Sequence, residues 1–186
     1  MPDKAIRDYR SSDLPEKVKV VLEYYYKELE FHEVQIKELD KIIKKQIEEK
    51  EQTKKEYNLL KEQPGIGPVT ASALILEVGD WDRFKSEKKI AAYFGLTPSE
   101  YSSGEHICKG RITGQGNPYL RGLLVETSWT AIRLDEKLKE FYNKIKAHSG
   151  SGKKAIVAVA RKMLCDLYRL MKGLNNKGPL NPLPIS

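Results

Sequence analysis

From Val18 the chain places apolar residues at alternating steps of four and three: Val18, Leu22, Tyr25, Leu29, then on through His32 to Ile36, Leu39 and Ile43. The stripe continues more weakly through Gln46, Lys50, Thr53, Tyr57 and Leu60, and no Gly or Pro interrupts it. Pro15 sits where a helix starts, with Glu16 in its first turn. The pattern predicts one helix over 16–63, about 72 Å long at 1.5 Å per residue. Its heptad seam holds for about four repeats and then turns polar. A stripe on so long a helix is not buried by the helix itself. It needs a second copy, another helix, or a part of the protein beyond this chain. His32, at a seam position, reads as a packed, register-setting residue, and the flanking Glu and Lys as a solvated, partner-selecting face.

Gln63-Pro64-Gly65-Ile66-Gly67-Pro68 ends that pattern sharply, and a helix rich in small residues follows over 69–79. Helix, Pro-Gly-Ile-Gly, small-residue helix resembles the helix-hairpin-helix DNA-binding module. Gly65 and Gly67 would allow a tight turn whose backbone N–H groups face a phosphate at a helix N-terminus, while Ile66 points inward. The plain alternative is a simple helix–turn–helix corner. Trp81 and Phe84 then read as aromatics closing over a core. Ser86 can cap a short helix over 87–94 that Gly95 stops. Asn117-Pro118 starts another helix with Leu120, Leu123, Leu124, Thr127, Ala131 and Leu134 on one face. An amphipathic segment begins near Asp135. Ser149-Gly150-Ser151-Gly152 reads as a flexible link before a strongly apolar helix, roughly 153–172, that Gly173 stops. The methionines of that helix read as core filler.

These elements give an all-α fold. A coiled-coil helix over 16–63 precedes a compact helical domain over 64–173. That domain contains the hairpin-like element and one long Gly-rich loop, or a short β-hairpin in its place. Residues 1–15 read as frayed and 174–186 as a tail.

Charge adds a partner. The 186 residues carry a formal net charge of +7, and it is unevenly spread. Residues 1–63 hold 14 Lys and Arg against 15 Asp and Glu, a net −1, and the rest hold 19 against 11, a net +8. The basic surplus belongs wholly to the second part and favours a polyanion there. Two cysteines, Cys108 and Cys165, far apart, argue against a disulfide framework or a zinc knuckle. No apolar run approaches a membrane span, and the first ten residues are too polar for a signal peptide, so a cytoplasmic protein away from membranes is expected.

The stretch Gly95–Arg121 holds the candidate chemistry. It is long, rich in Gly, low in apolar residues, and carries Lys109, Arg111 and Arg121, with His106 as a further base. No nucleotide-binding loop, zinc-protease motif, nucleophile elbow or Cys/His metal cluster occurs anywhere in the chain. The acidic residues are scattered over helical faces, which argues against a self-contained metal nuclease. What remains is Ser102-Ser103-Gly104. A serine can attack phosphorus when a base takes its proton and cations stabilise the phosphate oxygens. Arg111 and Arg121 have the fork geometry for phosphate, and Lys109, Lys153 and Lys154 could supply point charge. On composition alone, Ser-Ser-Gly is an ordinary turn.

Several elements fall in a recognisable order: Pro64-Gly-Ile-Gly, Phe94-Gly-Leu-Thr-Pro98, Ser102-Ser103-Gly104, Lys109-Gly110-Arg111-Ile112-Thr113, Gly116-Asn117 and Leu120-Arg121. Over about residues 59–172 this resembles the C-terminal domain of a bacterial insertion-sequence transposase family. In that family a RuvC-like domain with an acidic tetrad is joined by a coiled coil to a serine-bearing domain, and a structured bridging RNA selects the DNA. The resemblance implies Ser103 as nucleophile, with Ser102 as the register alternative, and Arg111 and Arg121 as phosphate contacts. It implies DNA, a structured guide RNA and a homo-oligomer through the coiled coil as partners. No cofactor is implied for this chain, with magnesium expected in the acidic domain it lacks. Two departures matter: the RuvC-like domain is not here, and the usual Lys after Ile-Thr is Gly114. The expectation is a C-terminal piece that binds DNA but does not cut it alone. The competing readings are a non-catalytic helix-hairpin-helix nucleic-acid-binding module dimerised by its coiled coil, and a structural coiled-coil adaptor.

Overall fold

The computed structural model describes residues 13–103, 106–112 and 114–175, with the strand segment 98–111 described by its backbone. The expected frayed start falls largely outside these residues, and the expected tail almost entirely so. The fold is all-α with one β-hairpin set into it. In order come α1 (Glu16–Glu48), α2 (Glu51–Lys61), α3 (Pro68–Val78), a 3-10 turn (Trp81–Arg83), α4 (Glu87–Tyr93), β1 (Pro98–Ser103), β2 (His106–Ile112), α5 (Pro118–Leu134), α6 (Glu136–Ser149) and α7 (Gly152–Asn175). The chain divides into two compact units, Met1–Glu48 and Glu49–Ser186.

The first unit contains α1, which begins directly after Pro15 as the sequence predicts. Most of its seam lies open: Val18, Tyr25, Leu29, Ile36 and Leu39 are between 42 and 62% exposed, while Leu22 and Ile43 are half-buried. Val20, Tyr24, Phe31 and Val34 are exposed as well. At 100° per residue these four fall on the side of the helix away from the seam, a second stripe that the heptad count passes over.

The expected single helix over 16–63 is two helices. It ends at Glu48, and Lys50 (φ −113°, ψ 118°) is extended where it leads into α2. No Gly, Pro or capping side chain marks the break. Its cause is tertiary: Leu60 is fully buried in the core of the second unit, with Tyr57 and Leu59 packed against that core. α2 therefore belongs to the globular unit, which begins near residue 49 rather than 64, and local helix propensity yields to that packing.

In the second unit α7 is the central helix, packed on α2, α4, α5, α6 and the 3-10 turn. Its apolar face buries Ile156, Val159, Ala160, Met163, Leu164, Leu167 and Met171. Each of these side chains other than that of Ala160 contributes roughly 1.5–3 kcal/mol. Trp81 and Phe84 close over this core as expected. Gly173 does not stop α7, which runs to Asn175. Three contacts hold its last turns in place. Tyr168 donates its hydroxyl to Phe84 O at 2.6 Å. Arg169 makes two bonds to the Glu87 carboxylate at 2.6 and 3.1 Å. Lys172 pairs with Asp82 at 2.7 Å. Between α6 and α7 the expected flexible link is a tight corner, with Gly150 left-handed (φ 63°) and Ser151 ahead of a helix that starts at Gly152.

Candidate nucleic-acid interface

α5 organises the site. Asn117 opens it by accepting from the backbone N–H groups of Tyr119 (3.0 Å) and Leu120 (3.1 Å), with Pro118 in the first turn. The same side chain donates to a Glu77 carboxylate oxygen at 3.2 Å. One end of α5 is thereby tied to the last turn of α3. Farther along, the Thr70 and Thr127 hydroxyls meet at 3.2 Å in a buried bond. With residue 70 beside 127 and residue 77 beside 117, α3 and α5 run antiparallel.

The two stems of the hairpin converge on the start of α5. Asn117 N–H donates to Tyr93 O at 2.9 Å. The Tyr93 hydroxyl donates to Glu77 O at 3.1 Å. Arg121 spans both stems, its Nη1 donating to Gly114 O (3.1 Å) on the outgoing side and to Phe94 O (3.4 Å) on the incoming side. The stems touch so closely that side chains are excluded. A Cβ on Gly116 would lie 2.6 Å from Tyr93 O and 2.7 Å from Gly95 N, and one on Gly95 would strike the Arg121 guanidinium. Both glycines also have positive φ, 126° and 67°.

From this foot the long Gly-rich stretch rises as an antiparallel hairpin rather than a loop. Pro98 pairs with Ile112, Glu100 with Lys109, Tyr101 with Cys108, Ser102 with Ile107 and Ser103 with His106. Between the first two pairs β2 has one residue more than β1, a bulge that falls at Gly110 and Arg111. Ser102 and Ser103 thus end β1 at the far tip, about 17 Å along the strand from Pro98. Gly104, Glu105 and Thr113 lie outside the described residues, as do the side chains of Ser102, Ser103, Lys109 and Arg111.

The predicted site residues separate into three places. Ser102, Ser103, Lys109 and Arg111 share the hairpin, and Arg121 stands at its foot, engaged with backbone carbonyls. Gly65 and Gly67 lie toward the other end of α5. Gly65 (φ 78°) is pressed on that helix, where an added Cβ would sit 2.8 Å from both Thr127 O and Ala131 N. Its glycine character is thus accounted for by close helix approach. Gly67 caps α3 with open space around it and no side-chain cap, so the first N–H groups of α3 are free of one. Ile66 is buried between them as expected. From Arg121 to Ala131 the rise along α5 is about 15 Å. Lys153 and Lys154 are exposed at the start of α7, where Gly152 adjoins the Tyr142 hydroxyl. Tyr142 meets Trp129 edge to face at 5.8 Å, on the side of α5 away from Gly65.

Sequence reading missed the foot itself. Asn117 was legible as a cap, but Glu77 and Tyr93 meet it only through the antiparallel packing of α3 and α5. Arg83, stacked over Phe84 and Tyr93 with its guanidinium 4.5 and 4.7 Å from the ring centroids, is a further cation beside this foot. At Cys165, the described cysteine, burial and then the neighbouring Glu87 push the thiol up. Among the described residues no group of three or more His, Cys, Asp or Glu side chains could hold a metal ion. Nor is any described helix long and apolar enough to cross a membrane.

The hairpin, its foot and the Gly65 turn all lie within a segment that a family model matches. Residues 57–143 match the model of the Transposase IS116/IS110/IS902 family. A probable family 20 transposase of Pseudomonas aeruginosa is 38% identical over 69 residues, 37% of this chain and 20% of that protein. The pilin gene-inverting protein of Moraxella bovis is 30% identical over 117 residues, 62% of this chain and 36% of that protein. The transposase for insertion sequence element IS1328 of Yersinia enterocolitica is 33% identical over 92 residues, 50% and 26% respectively. The matched region thus spans between a fifth and about a third of the length of these relatives.

Proposed function

We propose that this chain is the DNA-contacting, serine-bearing part of an insertion-sequence transposase, joined in the whole enzyme to a RuvC-like acidic domain and directed by a structured RNA. The observation that carries the reading is where the family match falls. The family match over 57–143 encloses a hairpin whose two stems are locked onto one helix and whose tip carries Ser102 and Ser103.

In this reading Ser103, with Ser102 as alternative, supplies the nucleophile. Its hydroxyl oxygen attacks a DNA phosphorus, its proton passes to a base, and a deoxyribose oxygen leaves. Lys109 and Arg111 on the returning strand offer the phosphate contacts nearest the serine. Arg121, at the other end of the strand, holds the hairpin rather than the phosphate. Gly67 at the open start of α3, with Lys153 and Lys154 at the start of α7, gives two further places for the DNA backbone. Magnesium belongs, in this reading, to the acidic domain. The seam of α1 pairs with a second copy.

The test has two parts. The chain should bind duplex DNA with an affinity that falls steeply as salt rises; salt-independent or absent binding sinks the proposal. In the full-length protein Ser103→Ala should abolish strand transfer while leaving DNA binding intact. If Ser103→Ala and Ser102→Ala are each harmless to transfer, the chain is a non-catalytic binding module.

A further inference from the structure

The open seam of α1 carries information about orientation as well as partner. We infer that α1 pairs antiparallel with α1 of a second copy, centred between Glu30 and Phe31. The inference rests on the self-pairing proposed above and deepens it.

The seam positions 18, 22, 25, 29, 32, 36, 39 and 43 are symmetric about 30.5. One antiparallel register therefore buries all eight. Val18 meets the partner's Ile43, Leu22 meets the partner's Leu39, Tyr25 meets the partner's Ile36, and Leu29 meets the partner's His32. Every layer then contains an aliphatic residue, and His32 sits against Leu29 rather than against its own counterpart. Shifting by a heptad in either direction leaves seam residues without a partner.

Charge selects between orientations, because the residues flanking a coiled-coil seam meet differently in each. In the antiparallel register Lys19 lies beside the partner's Asp40, Glu28 beside the partner's Gln35, and Tyr26 beside the partner's Glu33. Val21 and the partner's Ile42 extend the apolar contact; both are 54% exposed in the single chain. Each contact occurs twice by symmetry, and none joins like charges. A parallel, in-register pair brings Glu28 beside the partner's Glu33 twice, separates Lys19 from Asp40, and stacks His32 on the partner's His32. Like charges at such positions are destabilising. The sequence thus opposes the parallel pair at its centre and favours the antiparallel pair at both ends.

Orientation is read directly by a distance. In the full chain with Cys108→Ser and Cys165→Ser, a nitroxide on Lys45→Cys, an exposed position off the seam, should lie about 44 Å from its counterpart if α1 pairs antiparallel. A parallel pair places the two about 20 Å apart. Charge reversal supplies the second readout. Lys19→Glu should weaken self-association about tenfold, and Lys19→Glu with Asp40→Lys should restore it. Glu28→Lys should leave affinity unchanged, whereas in a parallel pair it would strengthen it. The short distance, absence of rescue, or a gain from Glu28→Lys overturns the orientation. A chain that stays monomeric by sedimentation at all concentrations overturns self-pairing as well, and leaves the DNA-binding proposal untouched.

Discussion

α1 and α7 are the two longest helices of the molecule, 33 and 24 residues, and both carry apolar side chains at helical spacing. Their fates are opposite. In α7 the stripe is buried under α5 and α6 and the aromatic turn, with Val159, Ala160 and Leu164 fully covered. In α1 most of the stripe is open, and a second one runs along its other side. Periodicity therefore tells which face of a helix is apolar and says nothing of what covers it. A stripe with partners inside its own chain builds a core. One without them stays exposed, and its flanking charges become the readable part.

That contrast can be broken at three points. The largest effect is expected where the globular unit packs most tightly. Gly65→Ala forces a Cβ against the α5 backbone at φ 78°. Strain and overpacking together should cost about 2–4 kcal/mol, read as a lower denaturant midpoint for the helical unit. An unchanged midpoint would mean that α3 and α5 do not approach there. Arg121→Gln should be milder, about 1 kcal/mol. It should speed amide exchange in β1 and β2 while α5 and α7 stay protected, and leave the salt slope of DNA binding unchanged. A slope reduced by about one, with the hairpin still protected, would return Arg121 to the role of a phosphate contact. Arg121→Lys, which keeps a donor at the foot, should recover part of the protection. Smallest of all, Leu29→Gln should leave the melting of the globular unit where it was and abolish self-association. A shifted melting transition would show that the α1 seam is already packed within its own chain.

What was legible in the sequence was local. Ser86 was readable as a cap, and Asn117 and the neighbourhood of Asp135 as helix starts, because the groups these side chains satisfy lie within a few residues of them. Ile66, Trp81 and Phe84 were readable as core because large apolar residues beside turns have nowhere else to go. The rest depended on residues far apart. Nothing near Glu48 announces a break, because Leu60 and the core it enters cause it. Gly173 fails to end α7 because Asp82 and Phe84, some ninety residues earlier, grip the turn ahead of it. Gly65 looked like a phosphate turn and is pressed on α5. Arg121 was legible as a cation suited to phosphate, but its two carbonyl partners were not, because they belong to stems that meet only in three dimensions. The Gly-rich stretch gave only mixed strand signals, and its pairing emerges with the foot that holds it.

The foot has a consequence for how such a part could travel. Gly95 and Gly116 stand nearly in contact, so the intervening residues leave the helical framework and return to it at almost the same point. A segment with coincident ends can be lengthened, shortened or exchanged at little cost to the scaffold that carries it, because closing the chain across its base asks for almost no span. The serine-bearing arm is in that sense a cassette on a helical socket. Its reach, set by the number of strand residues between foot and tip, can vary without rebuilding the core.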